Sequence, residues 1–104
     1  MARVVFLGTP EFGVPVLEAL HEQHEVLAVV TQPDRRVGRG RARTHASPVK
    51  EAAIARGLRV LQPVRLRRDR EVIEELRRLQ AEVFVLAAFG QILPQEVLDI
   101  PPHG

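Results

Sequence analysis

The sequence predicts an α/β fold: a Rossmann-like parallel sheet built from βαβ units and truncated after about four strands. Three observations carry this. Short apolar, β-branched runs recur at residues 3–7, 26–31, 58–61 and 83–87. They are continuous rather than alternating, as strands covered on both faces require. Between them lie segments with helical spacing and cap signals, so strand, helix and strand alternate along the chain.

The first run, Arg3-Val4-Val5-Phe6-Leu7, stops at Gly8. Thr9, Pro10 and Glu11 then read as an N-cap, a first helical position and a first-turn acid, with Phe12, Val16, Leu17 and Leu20 on one helical face. That helix ends between His21 and His24. After the second strand, Gln32-Pro33-Asp34 breaks the pattern. Ser47-Pro48 opens a short helix over 49–56, closed by Gly57 at its left-handed position. The third strand covers 58–61. Asp69 caps a helix over 70–79 whose buried face is Ile73, Leu76 and Leu79. The fourth strand is 83–87, and one more helical turn fits 94–99.

At 104 residues the chain makes one domain at most, and 45% hydrophobic residues suffice for a core. It has no cysteine, which excludes disulfides, thiolate metal sites and Cys nucleophiles together. His21, His24, His45 and His103 form no metal-ligand pattern, so no metal is expected. No apolar run has the length to span a bilayer, and the apolar start is interrupted too early for a signal segment. The expectation is a cytoplasmic protein without a membrane partner.

Charge is distributed unevenly. Arg35, Arg36, Arg39, Arg41 and Arg43 fall within nine residues that contain no acid, and Lys50 brings the segment to six positive charges. Fifteen basic and thirteen acidic residues give a net +2, which leaves −4 outside this segment. The arginines from 67 to 78 lie among Asp69, Glu71, Glu74 and Glu75 and are expected to pair on a helix surface. Those from 35 to 43 have no such neighbours. A basic loop on an acidic body suits a polyanion, and the absence of Tyr and Trp favours phosphate and shape recognition over base stacking.

In a parallel sheet ligands bind at the carboxyl ends of the strands, which selects the loops at 8–11, 32–46, 62–68 and 88–93. Gly8-Thr9-Pro10-Glu11-Phe12-Gly13 sits where a dinucleotide fingerprint would, but lacks its glycine spacing. A nucleotide site would need Asp34 on the ribose, or Arg35 and Arg36 on a ribose phosphate. The apolar loop of Phe89, Gly90, Gln91, Ile92 and Leu93 can either line a slot for a flat heterocycle or pack as core beneath the strand ends. No catalytic constellation is evident, since Glu11 reads as a helix-start acid and no Ser-His-Asp order exists.

Five segments taken in order resemble one family. Gly8-Thr9-Pro10-Glu11-Phe12, Thr31-Gln32-Pro33-Asp34-Arg35, Gly38-Arg39-Gly40, Ser47-Pro48-Val49-Lys50 and Phe89-Gly90-Gln91-Ile92-Leu93-Pro94 look like the methionyl-tRNA formyltransferases. The resemblance covers essentially the whole chain. It implies transfer of a formyl group from 10-formyltetrahydrofolate, the co-substrate, to the amino group of methionyl initiator tRNA. It also implies that Arg35, Arg36, Arg39, Arg41 and Arg43 approach the tRNA. Arg41 and Arg43 stand where lysines are usual. Phe89, Gly90, Gln91, Ile92 and Leu93 would hold the folate's pterin ring, partly through main-chain groups. The family's catalytic groups lie in an Asn-x-His pair, a Ser-Leu-Leu-Pro segment and an Asp beyond the position of Gly104. Residues 1–104 are therefore expected to be the N-terminal portion of a formyltransferase domain. They would lack catalytic residues, be inactive alone, and be prone to self-associate through an uncovered strand edge, whereas the full-length enzyme would be monomeric. Two other functions fit the residues: a non-catalytic nucleic-acid-binding module working through the basic loop, and a nucleotide-binding α/β domain.

Overall fold

Strand β1 (Arg3–Gly8) runs through the middle of the computed structural model, which describes residues 1–37 and 43–104. Val5, Phe6 and Leu7 are fully buried, because the strand is flanked by strands on both edges and by helices on both faces. On one edge it pairs in parallel with β2 (Glu25–Val30), and β2 in turn with the two-residue β5 (Val60–Leu61). On the other edge it pairs in parallel with β6 (Val83–Ala87), which gives the order β5-β2-β1-β6. This is the four-stranded parallel sheet that the sequence predicts.

Alternation along β1 sorts the core into two layers. Val5 and Leu7 face α3 (Arg70–Leu79), where Val30, Leu66, Ile73, Leu76, Phe89 and Val97 join them. Val4 and Phe6 face α1 (Val14–Gln23) and α2 (Pro48–Ala55), with Leu17, Val26, Val29, Val49 and Ala53. A register shift opposite Val4 and Val5 in the β1–β2 pair advances β2 by one residue. Val26 and Val29, three apart, consequently fall in the same layer.

The caps act as expected at two helices. Ser47 accepts from the Lys50 N–H at 3.0 Å, and Asp69 from the Val72 N–H at 3.1 Å. Gly57, at φ 69°, closes α2 with its own N–H on the Ile54 carbonyl and the Leu58 N–H on the Ala53 carbonyl. The final turn, α4, spans Gln95–Leu98.

The first helix differs from expectation. Pro10 leads into a single 3-10 turn (Glu11–Gly13), and α1 starts only at Val14. Thr9 is not its cap. The displaced start leaves Phe12 66% and Val16 38% exposed, so only Leu17 of the expected face is fully buried. The basic segment is not a plain loop either. Strands β3 (Arg35–Val37) and β4 (Arg43–His45) pair antiparallel at its two ends as a ribbon, with Arg35 opposite His45.

Most of the expected surface ion pairs form. Arg70 and Arg77 both reach Glu96 and Glu74, and Arg78 and Arg59 both reach Glu75. Arg67 and Arg68 instead lie in a 3-10 turn ahead of α3. The hydrogen bond from Arg78, with Arg59 adding to it, holds the Glu75 carboxyl below its ordinary value. Arg70 and then Arg77 do the same for Glu96. Away from β1, the start of β6 is met by the last residues, with the Phe84 N–H donating to the Gly104 carbonyl and the His103 N–H to the Glu82 carbonyl. Leu86, further along β6, is 55% exposed.

Two predictions follow from the packing and the ion pairs. Ile73→Ala should cost roughly 2–5 kcal/mol in urea unfolding, while Ile54→Ala, at a 58% exposed site, should cost under about 0.5 kcal/mol. Equal effects would refute the layer assignment. Glu75 and Glu96 have folded-state pKa values below the ordinary 4.5, so their stabilisation is complete above that pH and is lost as pH falls through the depressed values. The urea midpoint should be level near neutrality and drop below pH 4.5, and the Glu75→Gln, Glu96→Gln double variant should show a shallower drop.

Candidate functional site at the strand ends

Because β1, β2, β5 and β6 are parallel, the four loops that follow them emerge on one rim. Their main-chain polar groups must find partners there, and short polar side chains supply them. Thr9, just past β1, donates its hydroxyl to the Phe89 carbonyl at 3.0 Å and accepts from the Gln32 N–H at 3.3 Å. Thr31, fully buried, donates to Thr9. Thr31 and Ser47 share a hydrogen bond at 2.9 Å in which either hydroxyl can donate. Ser47, Thr31 and Thr9 thus form one chain of hydroxyls ending on the loop after β6.

Three glutamines make a second layer of bonds. The Gln91 amide donates to Gln32 Oε1 at 2.7 Å and to the Pro63 carbonyl at 2.9 Å, while its oxygen accepts from the Leu66 N–H at 2.7 Å. The Gln62 amide donates to the Gln32 carbonyl at 3.3 Å and to Asp34 Oδ1 at 2.8 Å. Lys50 Nζ lies 3.0 Å from each Asp34 oxygen. The hydrogen bond from Gln62 and the Lys50 ammonium hold the Asp34 carboxyl below its ordinary value. A continuous path therefore runs from the root of the ribbon, through Gln62 and Gln32, to Gln91.

The expected ring-binding loop is divided by this arrangement. Ala88 (φ 54°) and Gly90 (φ 89°) both adopt left-handed backbone, which folds the loop back on the rim. Phe89 points inward and is 1% exposed in the core, so its ring is a foundation rather than a wall. Gly90 is exposed, and a Cβ on it would lie 2.9 Å from the Gln32 amide nitrogen. Ile92, 69% exposed, lines a groove of about 250 Å³ with Val64, Arg65, Arg67 and Gln91. Leu93 packs against the core from its margin. A wider depression of about 580 Å³ lies between α3 and β5, and its walls include Leu61 and the ion-paired Arg59, Arg70, Glu75 and Arg78.

The ribbon leaves the same rim. Arg35 begins β3 and is exposed, and the backbones of Arg36 and Arg43 lie in β3 and β4. Arg39 and Arg41 fall outside the described residues. Lys50, counted with the ribbon's charges from the sequence, is instead neutralised by Asp34. That same bond occupies the carboxylate that a nucleotide's ribose would require. Among the described residues no group of three His, Cys, Asp or Glu is arranged to hold a metal ion. Among the described residues no helix is long and apolar enough to cross a membrane.

Sequence reasoning named Gln91 only as a pterin contact and missed the bonding roles of Gln32, Gln62 and Thr9. The signal was present as a repeat: Gln62-Pro63 follows β5 directly, Gln32-Pro33 follows β2 after one residue, and Gln91 lies in the loop after β6. Replacing Gln91 with Ala strips partners from the Leu66 N–H, the Pro63 carbonyl and Gln32 at once. Gln91→Ala should destabilise by roughly 1–3 kcal/mol in chemical denaturation. A change below about 0.5 kcal/mol would show that the rim is not held this way.

Comparison with known proteins agrees with this architecture. Residues 2–104 match the formyl transferase family model. A methionyl-tRNA formyltransferase from Caldanaerobacter subterraneus is 52% identical over 103 residues, covering 98% of this chain and 33% of the relative. One from Synechococcus elongatus is 57% identical over 104 residues, covering 98% and 32%. The chain thus spans about a third of the length of the curated relatives it matches. A phosphoribosylglycinamide formyltransferase from Bacillus halodurans superposes with a TM-score of 0.65 at 16% identity, over 94% of this chain and 50% of its own, a likeness of fold. Continuous matching at such identity, on a sheet of this order, means that the chain belongs to the formyl transferase family and, within it, matches the methionyl-tRNA formyltransferases.

Proposed function

We propose that this chain is the N-terminal part of an enzyme that transfers a formyl group from 10-formyltetrahydrofolate to the amino group of methionyl initiator tRNA in the cytoplasm. Its contribution is binding: one rim engages both the formyl donor and the tRNA. The supporting observation is that Gln62, which bonds Asp34 at the ribbon root, and Gln91 of the 88–93 loop both donate to Gln32. The pterin would lie against the exposed face of that loop, meeting Gly90, Gln91 and Ile92 and main-chain groups. Phe89 and Leu93 would support the loop from the core side. Arg35, Arg36, Arg39, Arg41 and Arg43 would meet the acceptor stem through phosphate, since guanidinium forks suit bidentate contacts.

In formyl transfer the amine attacks the formyl carbon, and donors must stabilise the oxyanion that develops. On this rim Asp34 is committed to Lys50 and Gln62, and the three hydroxyls to one another. Residues 1–104 therefore bind without turning over. The full-length enzyme is monomeric on this reading, while the later part of β6, where Leu86 is exposed, gives the shorter chain a route to self-association.

The test measures affinity for an RNA acceptor-stem duplex across a salt series, with Arg35→Ala and Arg36→Ala alongside. The log–log slope should be steep, and each substitution should lower it by roughly 0.7–0.9. A folate analogue should shift the amide resonances of Gly90, Gln91 and Ile92. Duplex binding without any folate response would favour the non-catalytic nucleic-acid module. Formyl transfer by 1–104 above a blank would overturn its assignment as a binding portion only.

A further inference from the structure

The chain contains one lysine against fourteen arginines, and that lysine is not on the exposed ribbon. Lys50 sits in the first turn of α2, and its side chain is 19% exposed against the 29% of Asp34. Its ammonium contacts both carboxylate oxygens at 3.0 Å, and Gln62 adds a third bond at 2.8 Å. Asp34 immediately precedes Arg35, where β3 begins. The other root of the ribbon leads from His45 through Ala46 to Ser47, which caps the same turn of α2 on the Lys50 N–H. Both roots are therefore fastened to one helical turn, and the pairing of Arg35 with His45 closes the frame.

We infer that Asp34 is a positioning residue for polyanion binding: clamped by Lys50 and Gln62, it fixes the direction in which the arginine ribbon leaves the rim. The inference rests on the reading that the ribbon meets RNA. It carries an unusual sign. A carboxylate beside a polyanion site opposes binding by simple Coulomb repulsion, so removing its charge should strengthen binding if charge were its only role. An anchor behaves in the opposite way, because a ribbon no longer held must be ordered when the ligand binds. The depressed pKa of Asp34, caused first by the Gln62 bond and then by Lys50, keeps the anchor ionised at neutral pH.

The experiment compares the unsubstituted chain with Asp34→Asn and Gln62→Ala in two measurements. The first is hydrogen exchange of the Arg35–Val37 and Arg43–His45 amides without RNA. The second is affinity for a plain RNA duplex. Both variants should exchange these amides at least about tenfold faster and bind duplex roughly three- to tenfold more weakly, despite the loss of a negative charge in one and no charge change in the other. Unchanged exchange in Asp34→Asn would overturn the anchor whatever the RNA does. Faster exchange with tighter RNA binding would reduce Asp34 to a local charge and overturn the positioning role. If exchange quickens but the unsubstituted chain has no duplex affinity, the RNA reading fails and the positioning role fails with it. The structural clamp alone would then survive.

Discussion

Four parallel strands ending side by side bring many main-chain N–H and C=O groups to one place, and these groups must be satisfied without burying charge. Everything distinctive about the rim answers that constraint. The Thr9 hydroxyl serves main-chain groups of the loops after β2 and β6, and glutamine amides serve those of the loops after β2 and β5. Among the described residues no buried side-chain nitrogen or oxygen lacks a partner. Neutral groups achieve this at lower desolvation cost than ion pairs would, and they leave the floor of the rim uncharged. Charge is confined to the margins, with Asp34 and Lys50 on one side and the exposed Arg65 and Arg67 on the other.

The same constraint sets the backbone. Ala88 in the left-handed region is unfavourable by about 1 kcal/mol for a residue with a Cβ. It is held there because the reversal sends Phe89 into the core and turns its carbonyl to Thr9. Gly90 continues the reversal at φ 89°, a backbone that a Cβ would strain, and a Cβ there would also displace the Gln32 amide. At the end of β1, a Cβ on Gly8 would lie 2.8 Å from the Phe6 ring and 2.9 Å from the Ala87 carbonyl, so β1 and β6 can close at that end only with glycine there. Loop shape at the rim thus follows from packing in the layer below it.

How much of this was legible in the sequence depends on the range of the interaction. Strands, layers and the caps at Ser47 and Asp69 were readable because they depend on neighbours within a few residues, through apolar runs and short-range side-chain-to-backbone bonds. The start of α1 was misread for the converse reason. Thr9 and Pro10 carry every local mark of a cap, but the Thr9 hydroxyl is engaged 80 residues away at Phe89. The basic segment looked structureless because its strands are three residues long and gain their pairing from each other. Lys50 looked like one more positive charge because its partner lies sixteen positions earlier, in a segment read as a turn.

The separation of paired from exposed arginines is where fold and function meet. On α3, Arg70, Arg77 and Arg78 are matched by Glu74 and Glu75 one turn away and by Glu96 from α4, so that surface contributes little net field. Near the ribbon the described acid is Asp34, and it is already committed to the one lysine. The field at the rim therefore arises from guanidinium groups that no carboxylate near them in sequence offsets. Coulomb attraction falls off with distance and is screened within about 8–10 Å in physiological salt. A diffuse positive charge would serve a polyanion poorly under that screening. The roots of the ribbon at Asp34 and Ser47 lie at the end of the sheet where the loops converge, linked to the 88–93 loop through Gln62 and Gln32. On the proposed function, that placement, more than the number of arginines, would join polyanion recognition to the rest of the rim.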